Sequence, residues 1–152
     1  AVAAELAGRD DATSPDLRHI VAPVLGFLRE YLDPAEGMLI EHSFATPVYG
    51  GTCDLYARLR DGRWAYLDMK TQGTTERYEH VPRAYDEWGE QLAAYAIGVG
   101  RPHEALVNII ISTTKPGVIV AHEWDDLRKL REQWSCKLRY YQLTRNWWPK
   151  RR

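Results

Sequence analysis

The sequence is poor in the residues that build metal clusters and disulfide frameworks. It has two cysteines, Cys53 and Cys136, too few for a disulfide-stapled fold or a four-cysteine metal cluster. Its five histidines (His19, His42, His80, His103 and His122) fall at no metal-ligand spacing. No run approaches the roughly 18 apolar residues of a membrane helix, and no secretory signal pattern is visible. A reducing cytoplasmic interior and no membrane partner are therefore expected. Repeats and low-complexity linkers are also missing, so the 152 residues are expected to form one domain, 1–152, with a core of its own. With 45% hydrophobic and 27% charged residues, wholesale disorder is excluded.

Net charge is nearly absent too, at −1, which by itself argues against a nucleic-acid partner. The total hides a division. Residues 1–127 carry 11 basic and 20 acidic side chains, whereas residues 128–152 carry nine basic and one acidic. An acidic body meets a basic end in which Lys137, Arg139, Tyr140, Tyr141, Arg145, Trp147 and Trp148 interleave cations with aromatic rings. Phosphate neutralisation combined with base stacking is one way to hold single strands. A packed Trp pair with a merely soluble tail at about 142–152 is the other reading.

Periodicity gives an α/β chain with the order αβββαββα. Ser14-Pro15 signals a helix start, and Leu17, Ile20, Val21, Val24, Leu25, Leu28 and Leu32 continue at helical spacing. Pro23, inside that pattern, predicts a kink or two short pieces. Strands are expected at 38–44, 52–60 and 63–71, the last two flanking the turn signal Asp61-Gly62. After a polar loop at 72–82, a helix at 83–99 places Tyr85, Trp88, Leu92, Tyr95 and Val99 on one face and stops at Gly100-Arg101-Pro102. A buried strand at 105–112, a second at 118–123 and a helix at 124–141 complete the chain.

The hairpin register follows from the apolar pattern. A two-residue turn would set Leu55 opposite Asp68 and mix charged with apolar side chains on both faces. A three-residue turn, Arg60-Asp61-Gly62 with Gly62 left-handed, instead gathers Cys53, Leu55, Ala57, Ala65, Leu67 and Met69 on one face. The opposite face then pairs Tyr56 with Tyr66, Thr52 with Lys70, and Asp54 with Asp68. Like charges directly opposed, with beta carbons about 4.5–5.5 Å apart, destabilise a sheet unless a cation sits between them. Lys70 could serve on a solvated strand face. A divalent, oxygen-loving ion such as Mg²⁺ or Mn²⁺ serves better.

With Asp54 in a glycine-led strand, Asp68-Met69-Lys70 after it and Gln91-Leu92-Ala93-Ala94-Tyr95 beyond, the chain resembles the PD-(D/E)XK nuclease superfamily, most closely its RecB-like and phage exonuclease branch. The resemblance covers about residues 1–141. It implies a restriction-endonuclease-like core, a mixed sheet flanked by helices, as αβββαβ plus an extra strand and a C-terminal helix. It also implies Mg²⁺ or Mn²⁺ held by Asp54, Asp68 and the Met69 carbonyl, with Lys70 at the attacking water and the scissile phosphate. Gln91 and Tyr95 would approach the site or the DNA backbone. The branch usually has His-x-x-x-Glu on the preceding helix. Glu5 takes the Glu position as a candidate third metal carboxylate, or is an ordinary surface residue, while the His position falls on Ala1. Either the chain departs from the pattern at its edge or the histidine is missing from this sequence. Glu41 is a further carboxylate before the hairpin, with a solvated strand end as its plainer role. Arg77, Tyr78 and His80 flank the implied site as DNA contacts, or are simply the polar residues of an ordinary loop, and Lys137 and Arg145 from the basic end are further DNA contacts. No iron–sulfur cluster is expected from two cysteines. The implied activity is metal-dependent DNA hydrolysis in recombination, repair or phage DNA processing. A helicase or recombination partner and a nucleoid or phage-host cytoplasm would suit it. A silent DNA-binding module and a structure-specific or restriction-like endonuclease are the alternatives.

Overall fold

The apolar spacing of residues 17–32 becomes helix α1 (Arg18–Tyr31), which buries Val21, Val24, Leu25 and Leu28. The computed structural model describes residue 6 and residues 17–34, 37–73 and 82–146. The Ser14-Pro15 helix start, Glu5, Arg77, Tyr78, His80 and the tail from Trp147 lie outside the described residues. Pro23 does not divide α1 as its position suggested. It is the sixth helical residue, so the N–H it lacks would have served only the His19 carbonyl in the first turn. One helix runs through it.

Among the described residues, six strands follow the same chain order with one addition. They are β1 (Leu32–Asp33), β2 (Leu39–Ala45), β3 (Gly50–Leu59), β4 (Trp64–Gln72), β5 (Ala105–Ser112) and β6 (Ile119–Glu123). Helix α2 (Asp86–Val99) connects β4 to β5, and α3 (Leu127–Thr144) ends the described chain. The sheet order is β1-β3-β4-β5-β6, with β2 also on β3, beside β1. Only β4 and β5 are parallel, so the sheet is mixed. Parallel strands are buried on both faces, which is why β5 reads as a continuous apolar run and is buried at every position.

The β3–β4 turn has the expected geometry. Gly62 is left-handed at φ 92°, the Leu59 N–H donates to the Arg63 carbonyl at 2.8 Å, and Leu55, Tyr56 and Ala57 pair with Leu67, Tyr66 and Ala65. On one face of the sheet Val24, Leu28 and Leu32 pack against Leu55, Ala57, Leu67, Val107 and Ile109. On the other, Leu92, Ala93 and Ala96 of α2 and Leu130 of α3 cover Tyr56, Tyr66 and Leu106. No helix among the described residues is long and apolar enough to cross a membrane.

Two element starts differ from expectation, each for a local reason. Tyr85 is the extended N-cap of α2 and 53% exposed, so it does not share the helix face of Leu92 and Tyr95. Helix α3 begins only after Asp126, whose carboxylate accepts the Lys129 N–H at 2.9 Å, and this leaves Trp124 in a loop. A third difference concerns the sheet. Cys53 packs with Tyr56, Tyr66 and Leu92 rather than on the face of Leu55 and Ala57. Strand alternation breaks at Asp54. The β2–β3 ladder pairs Ile40 with Leu55 and His42 with Cys53 but skips the intervening Glu41 and Asp54, and Glu41 is left-handed at φ 48°. A non-glycine residue in that conformation is strained, and such strain gathers at functional sites.

Candidate functional site

The backbone makes the site by ceasing to pair. Starting at the turn, the β3–β4 ladder runs from Arg58 and Trp64 to Leu55 and Leu67 and ends, while β4 continues along β5 to Gln72 and Ser112. Past that end the Met69 N–H goes to the Asp54 carboxylate, at 2.9 Å to Oδ2. A side chain thus replaces a ladder bond where the two strands splay. In an extended strand the N–H and C=O of one residue face the same edge, so the Met69 carbonyl opens into this gap as well.

Asp68 stands beside it, 2% exposed. Lys70 Nζ lies 2.9 Å from its Oδ2 and 3.2 Å from its Oδ1, and Asn108 Nδ2 donates to Oδ2 at 2.9 Å. Burial pushes the Asp68 carboxyl above the usual carboxylate range; Lys70 opposes the shift, the Asp54 charge adds to it, and the Asn108 bond opposes it. Lys70 also donates to Gln91 Oε1 at 2.7 Å, and Gln91 Nε2 donates to the Tyr95 hydroxyl. Gln91 and Tyr95 are four apart on α2, the spacing that puts two side chains on one helix face. Burial raises the Tyr95 hydroxyl, so it stays protonated near neutral pH. The Trp88 ring lies 6.0 Å from Lys70 Nζ, at the edge of cation–π reach. Asp54, Asp68, Lys70, Gln91 and Tyr95 are thus brought together from β3, β4 and α2.

Asn108 and Trp124 are the members that pattern reading passes over. Asn108 is the parallel register partner of Asp68 and is fully buried, and its Oδ1 accepts the Trp124 indole N–H at 2.8 Å. Both polar ends of the amide are satisfied, so it stands as a fixed donor behind Asp68. Its one sequence signal is a single amide inside the apolar run Ala105–Ser112.

Other expected residues are placed differently. Glu41 is exposed on β2, opposite Asp54 in register. Lys137 of α3 forms an ion pair with Glu90 of α2, close to Gln91. Arg145, exposed at the end of α3, is not among the side chains gathered around Lys70. Cys53 lies next to Asp54, and burial pushes its thiol up to about 12, which makes it an inert packing group.

Among the described residues no group of three or more His, Cys, Asp or Glu converges. The donors at the splay are therefore two carboxylates and a main-chain carbonyl. That set has none of the His or Cys ligands on which tetrahedral zinc sites are usually built. It fits Mg²⁺ or Mn²⁺, bound through one or two carboxylates while waters and substrate phosphate complete the shell.

No family model matches the chain, and no curated protein matches it. Among solved structures, the crystal structure of SSO0001 is similar over 84% of this chain at 14% identity, with a TM-score of 0.41. The chain spans 59% of that protein's length.

Proposed function

We propose that the chain is a Mg²⁺- or Mn²⁺-dependent DNA nuclease built on a PD-(D/E)XK core, and that it acts as an exonuclease in recombination, repair or phage DNA processing. The observation that carries this reading is the splay at Asp54 and Met69, which sets Asp54, Asp68 and Lys70 in one gap. Asp54, Asp68 and the Met69 carbonyl would hold the ion. When bound, the ion supplies a nucleophile at neutral pH and relieves charge on the pentacoordinate phosphate.

The chain's own groups do the rest. Lys70, fixed between Asp68 and Gln91, presents a cation where negative charge develops on the scissile phosphate, without reorganising. Tyr95 accepts the Gln91 amide N–H, which turns the amide oxygen toward Lys70. Asn108 holds Asp68 in one orientation. The acidic body is compatible with a DNA partner because these acids meet cations, and the basic end, with Lys137 and Arg145 and with Arg77 and Tyr78 from the loop, supplies backbone contacts. A helicase or recombination partner would deliver the DNA end in a nucleoid or phage-infected cytoplasm.

The test is incubation with linear and covalently closed circular DNA, with and without Mg²⁺ or Mn²⁺, beside Lys70→Ala. Linear DNA is degraded only with metal, and Lys70→Ala is about 10²–10³-fold slower. Cutting of the circle would make the protein an endonuclease. Equal rates for wild type and Lys70→Ala overturn the catalytic assignment, and metal-independent DNA binding without cleavage would make it a silent binding module.

A further inference from the structure

Two residues past Lys70, on the same face of β4 and about 7 Å further along it, Gln72 ties together two segments that each carry a cation. Its amide oxygen accepts the Arg83 N–H at 2.9 Å, and its amide nitrogen donates to the Tyr85 hydroxyl at 3.1 Å. Its main-chain carbonyl accepts the Thr113 N–H at 3.1 Å, which joins the end of β4 to the loop after β5. Lys115 sits in that loop with its backbone pinned on both sides. Its N–H donates to the hydroxyl of buried Ser112 at 3.0 Å, and its carbonyl accepts the Val118 N–H at 3.1 Å. Arg83 and Lys115 are therefore presented from fixed main chain at the C-terminal end of β4.

Both side chains are exposed, and neither the guanidinium nor the ammonium has a hydrogen-bond or ion-pair partner among the described residues. Arg58, Arg63 and Lys70, by contrast, are engaged by Asp33, Glu123 and Asp68. The surface between Lys70 and Arg83 is continuous. The Trp88 ring lies 6.0 Å from Lys70 Nζ, and Tyr85 packs edge to face on Trp88 with centroids 4.8 Å apart. The acids that follow Tyr85 are turned to other places. Asp86 lines a cleft with His122, Trp124 and Asp126, and Glu87 lines another with Tyr49 and Trp134. A polyanion leaving Lys70 is repelled by the carboxylates of both clefts and meets cations over the end of β4.

We propose that the substrate strand crosses the C-terminal end of β4, where Arg83 and Lys115 hold a phosphate beside the scissile one. The proposal rests on the nuclease reading and adds a second anchor to it, organised by Gln72 and separate from both the metal ligands and the basic end of α3. Charges that grip a phosphate untouched by the reaction bind substrate and transition state equally, so the anchor sets KM and leaves kcat alone.

The experiment titrates the full chain, in EDTA, with a labelled linear duplex at a series of salt concentrations. Arg83→Gln and Lys115→Gln each make the slope of log affinity against log salt shallower by about 0.9, the share of one phosphate contact, and weaken binding about tenfold at low salt. Arg29→Gln, which removes an exposed cation from α1 on the opposite face of the sheet, leaves the slope as in wild type. All three side chains are exposed, so the variants fold as wild type does. An unchanged slope in either Arg83→Gln or Lys115→Gln overturns the anchor, and so does an equal loss in Arg29→Gln. In a parallel Mn²⁺ assay the two anchor variants raise KM about tenfold at unchanged kcat. Cleavage by wild type with unaltered salt slopes sinks the anchor alone, whereas shallower slopes without cleavage leave the anchor standing and sink the nuclease.

Discussion

Replacing Asn108 with leucine removes the support behind Asp68 while leaving every proposed ligand in place. The amide is fully buried, donates to Asp68 Oδ2 at 2.9 Å and accepts from Trp124 at 2.8 Å. Losing a hydrogen bond to a charged group costs about 1.5–3 kcal/mol, and stranding the Trp124 N–H adds about 1 kcal/mol. The apolar gain of leucine offsets roughly 1 kcal/mol. A net loss of about 1.5–3 kcal/mol lowers Tm by roughly 3–12 °C in a domain of this size. The functional effect is separable from that loss. Outer supports of metal ligands are typically worth about 10–100-fold in metal affinity, so Mn²⁺ binding weakens by that factor.

The pH dependence gives the sign. Burial already holds the Asp68 carboxyl above its usual range, and the Asn108 bond is one of the influences pulling it down. Without that bond it rises further. Mn²⁺ must displace the proton, so the pH of half-maximal binding moves upward in Asn108→Leu. Stability follows linkage for a raised carboxyl: the apo fold is favoured while Asp68 is protonated and loses that advantage as pH rises through the folded-state value. Calorimetric Mn²⁺ titrations at several pH values, beside thermal unfolding of the apo protein, measure both. A variant with lowered Tm but wild-type Mn²⁺ affinity and an unmoved pH midpoint would refute an orienting role and leave Asn108 as packing.

Three further outcomes are expected. Mn²⁺ at about 100 times its Kd stabilises wild type by about 2.7 kcal/mol, roughly 5–11 °C in Tm, and does not stabilise Asp68→Asn; an equal shift in both would remove Asp68 from the site. Gln91→Leu releases Lys70 and lowers kcat on the order of tenfold with little change in KM, while Gln91→Glu, which keeps an acceptor for the ammonium, recovers most of it; identical kinetics for the two variants would contradict the positioning role. Gly98→Ala sets a Cβ 2.0 Å from the Phe44 ring and costs about 1–3 kcal/mol by overpacking, so an unchanged Tm would show that α2 does not approach β2 so closely.

Local rules reached far where each residue's choice constrained the next. A one-residue slip of the hairpin would have turned Leu55 and Leu67 outward, so the apolar pattern and the left-handed Gly62 fixed which residues oppose which. Gly100, at φ 73°, ended α2 where the sequence signalled. The same rules failed at Cys53, because strict alternation cannot register a left-handed Glu41 on the neighbouring strand. They missed β1, whose two residues have no period to detect.

The sequence by itself determined the α/β order and the hairpin register from the turn to Leu55 and Leu67, since these depend on side-chain alternation and turn chemistry over short stretches; the expected pairings of Asp54 with Asp68 and Thr52 with Lys70 fall past the end of that ladder, where alternation breaks. Only the tertiary structure decided that the ladder stops at Leu55, that Asp54 takes the Met69 N–H, and that Asn108, 40 residues from Asp68, backs it. Those contacts join residues far apart in the chain, and they form because a buried carboxylate needs partners from whichever strand and helix packing brings beside it.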